Sequence, residues 1–232
     1  MIVQVSTWRT RSGLLATAAI AAVLGLGTPA AQATTRHHTD AGQDVTKVTY
    51  AADGTVTSAQ DPDKADGDIV SLAMWHRHRI GVTVRFSELK RFGVKLEDVR
   101  MVTDKGLKRD AVVVAADGYW RGEGWVERAN GNAVSGCALQ QELDYAANTV
   151  TISVSRKCLG YPRWVRIGFM DYDLDDVPTG KVDRGTAGHL RAIGRDRRAL
   201  ADDDQVTYVD DALKDDSAGD LVANLSEKIR RQ

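Results

Sequence analysis

The stretch that sets the fold runs Cys137-Ala-Leu-Gln-Gln-Glu-Leu-Asp-Tyr-Ala-Ala-Asn-Thr-Val-Thr-Ile-Ser-Val-Ser-Arg-Lys-Cys158. In its second half, three apolar residues alternate with threonine and serine: Val150, Ile152 and Val154. A period of two is typical of a strand with one buried face and one face in water. Residues 146–148 separate the two halves and have the length of a tight turn. We therefore predict an antiparallel hairpin.

The cysteines of the chain, Cys137 and Cys158, stand at the open end of this hairpin, and the sequence contains no others. Antiparallel pairing of the two arms would bring them together. A disulfide there would close a loop of roughly 20 residues and stabilise the fold by about 3 kcal/mol. In an exported protein, two cysteines are better explained by a disulfide than by a metal site.

The first 33 residues have the pattern of a secretory signal peptide. Arg9 and Arg11 form a positive start, residues 14–27 are apolar, and Ala31-Gln32-Ala33 matches a small-x-small cleavage site. The apolar run is too short and too rich in alanine and glycine for a good membrane span. We expect a mature protein that is secreted and extracellular, with no membrane span after cleavage.

Charge is distributed in blocks along the chain. The whole sequence has a formal net charge of −1, and removal of Arg9 and Arg11 would change it to −3. Residues 34–68 carry −4, residues 69–170 carry +6 and residues 171–232 carry −5. A nucleic-acid-binding protein would normally have a higher net positive charge and an uncovered basic block. We therefore expect no nucleic-acid partner.

Short alternating segments, separated by turn residues every 8–12 residues or so, predict an all-β protein. Examples are residues 69–75 and residues 80–86, joined by a basic turn. This spacing, with little helix, favours an antiparallel β-sandwich with one disulfide.

The domain prediction follows from the positions of these segments. We expect a disordered mature N-terminus over residues 34–44 and a single β-sandwich domain over residues 45–212. Within that domain we expect a long acidic loop over residues 171–204 and a final edge strand over residues 206–212. Residues 213–232 would be a charged C-terminal tail with a short helix near residues 221–229.

Several short motifs resemble one group of proteins. They are Asp66-Gly67-Asp68-Ile69, Trp75-His76, Val82-Thr83-Val84-Arg85-Phe86 and Cys158-Leu-Gly-Tyr-Pro-Arg-Trp-Val-Arg-Ile-Gly168. Together they resemble uncharacterised secreted bacterial proteins that share a late Cys-Leu-Gly-x-Pro-x-Trp-Val-Arg segment. The resemblance covers about residues 61–170 and implies a β-sandwich fold, and it carries no known activity. More remotely, the chain is similar to the jelly-roll sandwich of carbohydrate-binding modules and of sugar- or haem-binding redox sensor domains, a likeness of fold that does not fix function.

Clustered carboxylates raise the question of a metal. Asp171, Asp173 and Asp175 follow a predicted strand, and Asp61 and Asp63 precede another. Calcium takes six to eight oxygen ligands, which such loops can supply. Neither run matches an EF-hand loop, and solvated turns are the favoured explanation of both. The expectation is no cofactor, with calcium as the cation to test.

Four aromatic residues are the candidates for ligand binding. Tyr119 and Trp125 would share one face of a predicted strand, Trp120 would face the other way, and Trp75 ends a strand near a loop. Exposed aromatic rings stack on sugars and dominate binding hot spots. The alternative is that these rings belong to the core, where tryptophan is usually found.

No catalytic motif stands out, so we do not predict an enzyme. The sequence contains no Gly-x-Ser-x-Gly segment, and both cysteines are assigned to the disulfide. The first hypothesis is a non-catalytic module that binds extracellular or envelope polysaccharide. The alternatives are a structural or protein-interaction module, with an extracellular protein as partner, and an extracellular hydrolase with two carboxylates in a cleft. The sequence leaves the oligomeric state open.

Overall fold

A computed structural model describes residues 35–51, 53, 55–175, 205–213 and 223–231. The predicted signal peptide lies outside these residues. Within them the chain forms thirteen strands and one 3₁₀ turn, Arg156–Leu159. The strands are β1 Thr35–Thr39, β2 Thr46–Tyr50, β3 Val56–Gln60, β4 Ile69–His76, β5 Arg79–Phe86, β6 Val94–Thr103, β7 Lys108–Ala116, β8 Glu123–Arg128, β9 Leu139–Asp144, β10 Thr149–Ser155, β11 Trp164–Leu174, β12 Gln205–Asp211 and β13 Ile229–Arg230.

The strands form two sheets that face each other. The smaller sheet has the order β1-β4-β5-β10-β9, and the larger has the order β3-β2-β12-β11-β6-β7-β8, with β13 also paired to β11. Every pair of these thirteen strands that is hydrogen-bonded is antiparallel. The prediction of an all-β antiparallel sandwich is confirmed.

The predicted hairpin is present as β9 and β10. Thr149 pairs with Asp144 at the turn, and Val154 pairs with Leu139 at the open end. Asp144 stabilises the turn because its Oδ1 accepts the backbone N–H groups of two successive alanines, each at 3.0 Å. The disulfide joins Cys137 to Cys158, whose Cα atoms are 5.4 Å apart. The disulfide prediction is therefore confirmed.

The main core lies between the two sheets and is built from the alternating residues. Val84 and Ile152, on neighbouring strands of the smaller sheet, are fully buried. From the larger sheet Ile167 and Phe169 face them, and the Phe169 ring meets that of Phe86 edge to face at 6.2 Å between centroids. Burying each side chain of this size contributes about 1.5–3 kcal/mol, so this layer supplies much of the stability.

The larger sheet is also apolar on its other face. There a second buried cluster includes Leu96, Val112, Tyr172, Val209 and, from the C-terminal segment, Ala223. This explains why β7 reads as an almost unbroken apolar run, Ala-Val-Val-Val-Ala-Ala, instead of alternating.

Two predictions about the start of the domain and its last long strand are wrong. Residues 35–39 are not disordered but form β1, which pairs with β4 from Thr35↔Trp75 to Thr39↔Ser71. Its sequence, Thr-Arg-His-His-Thr, lacks apolar alternation, and backbone pairing at a sheet edge does not require it. β12 is not an edge strand, because it lies between β2 and β11.

Two predictions about the C-terminal third also need correction. Residues 171–174 are not part of a loop, because they continue β11 in register with β6. The described end of the chain, residues 223–231, contains no helix, and Ile229 and Arg230 pair with β11 as β13. The remainder of the predicted acidic loop, residues 176–204, lies outside the described residues.

Candidate functional site

The aromatic candidates do not lie on one strand. β8 begins only at Glu123, so Tyr119 and Trp120 lie in the turn before it, and the predicted shared strand face with Trp125 is wrong. A glycine in the left-handed region, Gly122 at φ 72°, separates the turn from the strand. Tyr119 and Trp120 therefore lie in a turn, although aromatic residues generally favour strands.

Burial separates the candidates further. Trp125 is only 9 % exposed, belongs to the second core cluster and donates its Nε1–H to Glu127 Oε2 at 2.9 Å. The ring of Trp120 packs edge to face against Tyr145 at 6.0 Å. Trp75 is half-buried and pairs with Thr35 and Gly81 at the end of β4. Of the three candidate tryptophans, Trp125 is thus the one that belongs to the hydrophobic core.

The acidic candidates divide in a similar way. Asp63 is exposed and Asp61 half-buried, whereas Asp171 and Asp173 are buried between the sheets and Asp175 is partly buried. These last three lie beside lysine side chains. We refer to the group formed by Lys64, Asp66, Lys95, Glu97, Asp171, Asp173 and Asp175 as the charged cluster.

Two ammonium groups hold the charged cluster together. Lys95 Nζ lies 2.5 Å from Asp173 Oδ2 and 2.8 Å from Asp66 Oδ2. Lys64 Nζ lies 2.6 Å from Asp175 Oδ2 and 3.8 Å from Asp173 Oδ2. Asp66 and Asp173, more than 100 residues apart in sequence, therefore meet across Lys95, whereas Asp61 and Asp63 lie outside the charged cluster. Calcium at these aspartates stays a prediction.

Strand register explains why charges lie inside the sandwich. Glu97 pairs with Asp171 and Lys95 pairs with Asp173, so all four point to the face that carries the main core further along β6 and β11. Gly67 completes the arrangement, because it has φ 83° and a Cβ there would lie 2.5 Å from Asp171 Oδ2. Only glycine fits this position.

Burial governs the protonation of the cluster. Burial, followed by the charge of Asp173, raises the pKa of Glu97 to about 8. Burial also raises the pKa of Asp173 to about 6, although Lys95 opposes the shift. For Lys95 burial alone would lower the pKa, but the surrounding carboxylates of Asp173, Asp171 and Asp66 outweigh it and raise the pKa. Lys95 is thus a permanent cation among carboxyl groups of which some are protonated near neutral pH.

A shallow depression of about 270 Å³ lies at the edge of the charged cluster. Lys64, Asp66 and Asp175 contribute to both, and Phe92 lines the depression with 56 % of its surface exposed. Its other polar lining residues, Asp63, Glu88 and Lys90, carry charges of both signs. With Lys64, Asp66 and Asp175 they make four acids and two lysines, a local formal charge of −2, so the depression does not favour an anionic ligand.

A larger depression, of about 550 Å³, has a clear sign of charge. It lies where β1, β11 and the C-terminal segment meet, and we call it the basic groove. Its lining residues are Arg36, Arg166, Leu225, Ser226, Glu227, Lys228 and Arg230. Four cations face one acid among these residues, which gives the groove a local formal charge of +3.

Hydrogen bonds to β11 position the wall of the basic groove. Arg166 donates from Nε to the carbonyl of Ser226 at 2.8 Å and from Nη2 to that of Leu225 at 3.2 Å. Ser226 and Ile167 exchange two further bonds, Ser226 N–H to Ile167 O at 2.8 Å and Ile167 N–H to Ser226 Oγ at 3.0 Å. Gly168 permits this approach, because a Cβ there would collide with Asn224 O. The C-terminal wall is therefore fixed to the sheet.

The side chains at the rim of the basic groove are accessible. Arg36 and Glu227 form an ion pair of 2.9 Å with side chains 46 % and 81 % exposed. Lys228 is exposed, and its Nζ lies 4.8 Å from the centre of the Trp164 ring. Exposed cations of this kind can contact the charge of an anionic ligand.

Sequence reasoning missed the basic groove because its residues come from three distant parts of the chain. Arg36 falls in the segment predicted to be a disordered terminus and Lys228 in the predicted charged tail, and no spacing links either to Arg166. Only the pairing of β1 with β4 and of β13 with β11 brings them together. The charge of the blocks gave no signal, because only Arg166 of the four cations lies in the basic block of residues 69–170.

The described residues include no helix with the length and apolar character needed to cross a membrane. The resemblance to secreted bacterial sandwich proteins and to carbohydrate-binding modules stays a prediction. Comparison of the chain with protein-family models, with curated proteins and with solved structures finds no match.

Proposed function

We propose that this protein is an exported, non-catalytic binding module whose basic groove binds an anionic polysaccharide outside the cell. The observation that carries the proposal is the groove itself, in which Arg36, Arg166, Lys228 and Arg230 face a single acid, Glu227. Carboxylates or sulfates repeated along a polymer would complement this charge. The disulfide between Cys137 and Cys158 supports an oxidising, extracellular location.

The groove is better suited to binding than to hydrolysis. Cleavage of a glycosidic bond generally needs two carboxyl groups, about 5–10 Å apart on either side of the bond. Glu227 is the one acid among the described lining residues, and its carboxylate is paired with Arg36.

Affinity electrophoresis of the mature chain in gels that contain polysaccharide tests the proposal. Polygalacturonate and alginate are the anionic probes, and dextran is the neutral one. We expect retardation by the anionic polymers alone, weakening as salt is added, because exposed charges are screened. The double variant Arg36→Gln/Lys228→Gln should lose most of this retardation, since it removes two accessible cations from the rim.

The matched control is Lys108→Gln, which removes an exposed cation at the start of β7. It should bind like the wild type. Equal retardation by dextran and polygalacturonate, or unchanged binding by the double variant, would exclude the groove as an anion-selective site. Trp75→Ala tests the aromatic binding site predicted on β4 independently of the groove. If no polysaccharide retards the protein, the alternative of a protein-interaction module replaces this proposal.

A further inference from the structure

Three buried aspartates converge at a place that neither the charged cluster nor the basic groove includes. Asp40 and Asp44 belong to the loop between β1 and β2, and Asp210 lies near the end of β12. They are 7 %, 4 % and 1 % exposed. One carboxylate oxygen of each lies within 4.8 Å of the corresponding oxygens of the other two. We call this group the aspartate triad.

The loop is folded so that both of its carboxylates reach the triad. Gly42 and Gln43 adopt φ values of 69° and 61°, in the left-handed region. The N–H of Gln43 donates to Asp68 Oδ1 at 2.6 Å, and Asp68 Oδ2 accepts from Ser87 Oγ at 2.5 Å. Asp68 thus holds the loop through Oδ1 and Ser87 through Oδ2, so both of its oxygens are engaged outside the triad.

Asp210 provides an independent sign of a ligand. Its Oδ2 accepts the backbone N–H of Ile69 at 2.6 Å. Its Oδ1 is buried and has no hydrogen-bond partner among the residues that the structure describes. A buried carboxylate oxygen without a donor costs free energy unless a cation or a proton satisfies it.

The spacing and the chemistry of the oxygens are both compatible with a calcium ion. Calcium binds oxygen at about 2.3–2.6 Å, so two oxygens on one ion are at most roughly 4.6–5.2 Å apart. The three oxygens lie within 4.8 Å of one another, so all of them could contact one calcium ion. Carboxylates are hard ligands that suit calcium, and backbone carbonyls and water usually complete its six to eight ligands.

We propose that Asp40, Asp44 and Asp210 bind a calcium ion that ties the β1–β2 loop to β12. This site differs from the predicted ones at Asp61 and Asp63 and at Asp171, Asp173 and Asp175. The ion would link an edge strand of the smaller sheet to a central strand of the larger one. The inference does not rest on polysaccharide binding, because the triad and the basic groove have no residue in common.

The site is tested with the full mature chain after treatment with EDTA and dialysis. Isothermal titration with CaCl2 should show one ion bound per chain, and calcium should raise the melting temperature by several degrees, since a ligand of the folded state stabilises it. Asp44→Asn and Asp210→Asn should weaken calcium binding by more than about tenfold, because loss of a group that merely orients a ligand already costs about 10–100-fold.

The amide variants also discriminate between a metal site and a structural cluster. Without calcium, Asp210→Asn should melt no lower than the wild type, because it removes a buried charge from beside two others, yet it should lose the calcium response. The matched control is Asp63→Asn, an exposed aspartate whose substitution should leave binding unchanged. Absence of calcium binding by the wild type would overturn the proposal even if a variant fails to fold. Wild-type affinity in Asp210→Asn would overturn it as well.

Discussion

Single side chains at one end of the sandwich are placed where charge is costly. Lys95 is 0 % exposed, and its ammonium group is balanced by Asp66 and Asp173. A buried ion pair contributes little net stability relative to apolar residues of the same volume, but removal of one partner leaves the other charge buried and unpaired. Lys95 therefore matters for stability mainly because its loss would leave the buried carboxylates of Asp66 and Asp173 without their counter-ion.

Lys95→Met should lower the free energy of unfolding by about 3–5 kcal/mol, since the aspartates of the cluster lose their main counter-ion. Urea unfolding followed by tryptophan fluorescence measures the change. Lys90→Met is the matched control, because Lys90 is exposed and pairs with Glu88 at the surface, at 2.7 Å. It should change stability by less than about 1 kcal/mol. Equal effects of both substitutions would show that Lys95 is not a buried counter-ion.

At the scale of elements, the hairpin of β9 and β10 joins local and distant contacts. Its turn is stabilised locally by Asp144, whereas β10 also pairs with β5 along seven residues, from Thr149↔Arg85 to Ser155↔Arg79. The disulfide closes its open end across a sequence separation of 21 residues. The hairpin is therefore held at both ends and along one side.

Replacing both cysteines by serine should lower the free energy of unfolding by about 3 kcal/mol, because the unfolded chain gains the entropy that the loop restricts. In a domain of this size the melting temperature should fall by roughly 6–12 °C. Calorimetry of the double variant, and of the wild type with and without reductant, measures this effect. Identical melting curves under all these conditions would contradict a stabilising disulfide.

At the scale of the whole molecule, the space between the sheets changes character from one end to the other. Apolar residues such as Ile167 and Phe169 fill one part, and carboxyl groups with Lys95 fill the part that follows along β6 and β11. This makes the stability of the folded chain depend on pH, because protonation of buried carboxyl groups differs between the folded and unfolded states.

Glu97 shows the sign of this dependence. Its pKa rises from 4.5 to about 8 on folding, with Asp66, Lys95, Asp171 and Asp173 as its charged neighbours. Its contribution is fully present below pH 4.5 and is lost as the pH rises through about 8, because the folded state then has to bury an ionised carboxylate. The wild type, studied in EDTA, should therefore lose on the order of a few kcal/mol between these pH values.

Glu97→Gln should flatten this decline and make the protein more stable than the wild type at pH 8, since an amide has no proton to lose. Urea unfolding at pH 5 and at pH 8 provides the comparison. Glu142→Gln, at an exposed position of β9, should follow the wild-type decline. A decline of the same size in Glu97→Gln would show that Glu97 is not the group responsible.

The sequence by itself determined the strands with regular alternation and the disulfide. Val84 and Ile152 are buried where a period of two requires it, and the two cysteines meet because the hairpin between them is local. Patterns of this kind are visible in the sequence because successive side chains of a strand point to opposite faces, one buried and one in water. It is for this reason that the all-β sandwich was predictable.

Only the tertiary structure decided the position of β1, the central place of β12 and the sites that carry charge. Strand β1 is formed by backbone pairing with β4, and its own side chains show no apolar alternation. Lys95 reaches Asp66 and Asp173, and Arg36 reaches the groove beside Lys228, through contacts between distant segments. Such contacts depend on which strands become neighbours, a property of the packed sheets that no local spacing encodes.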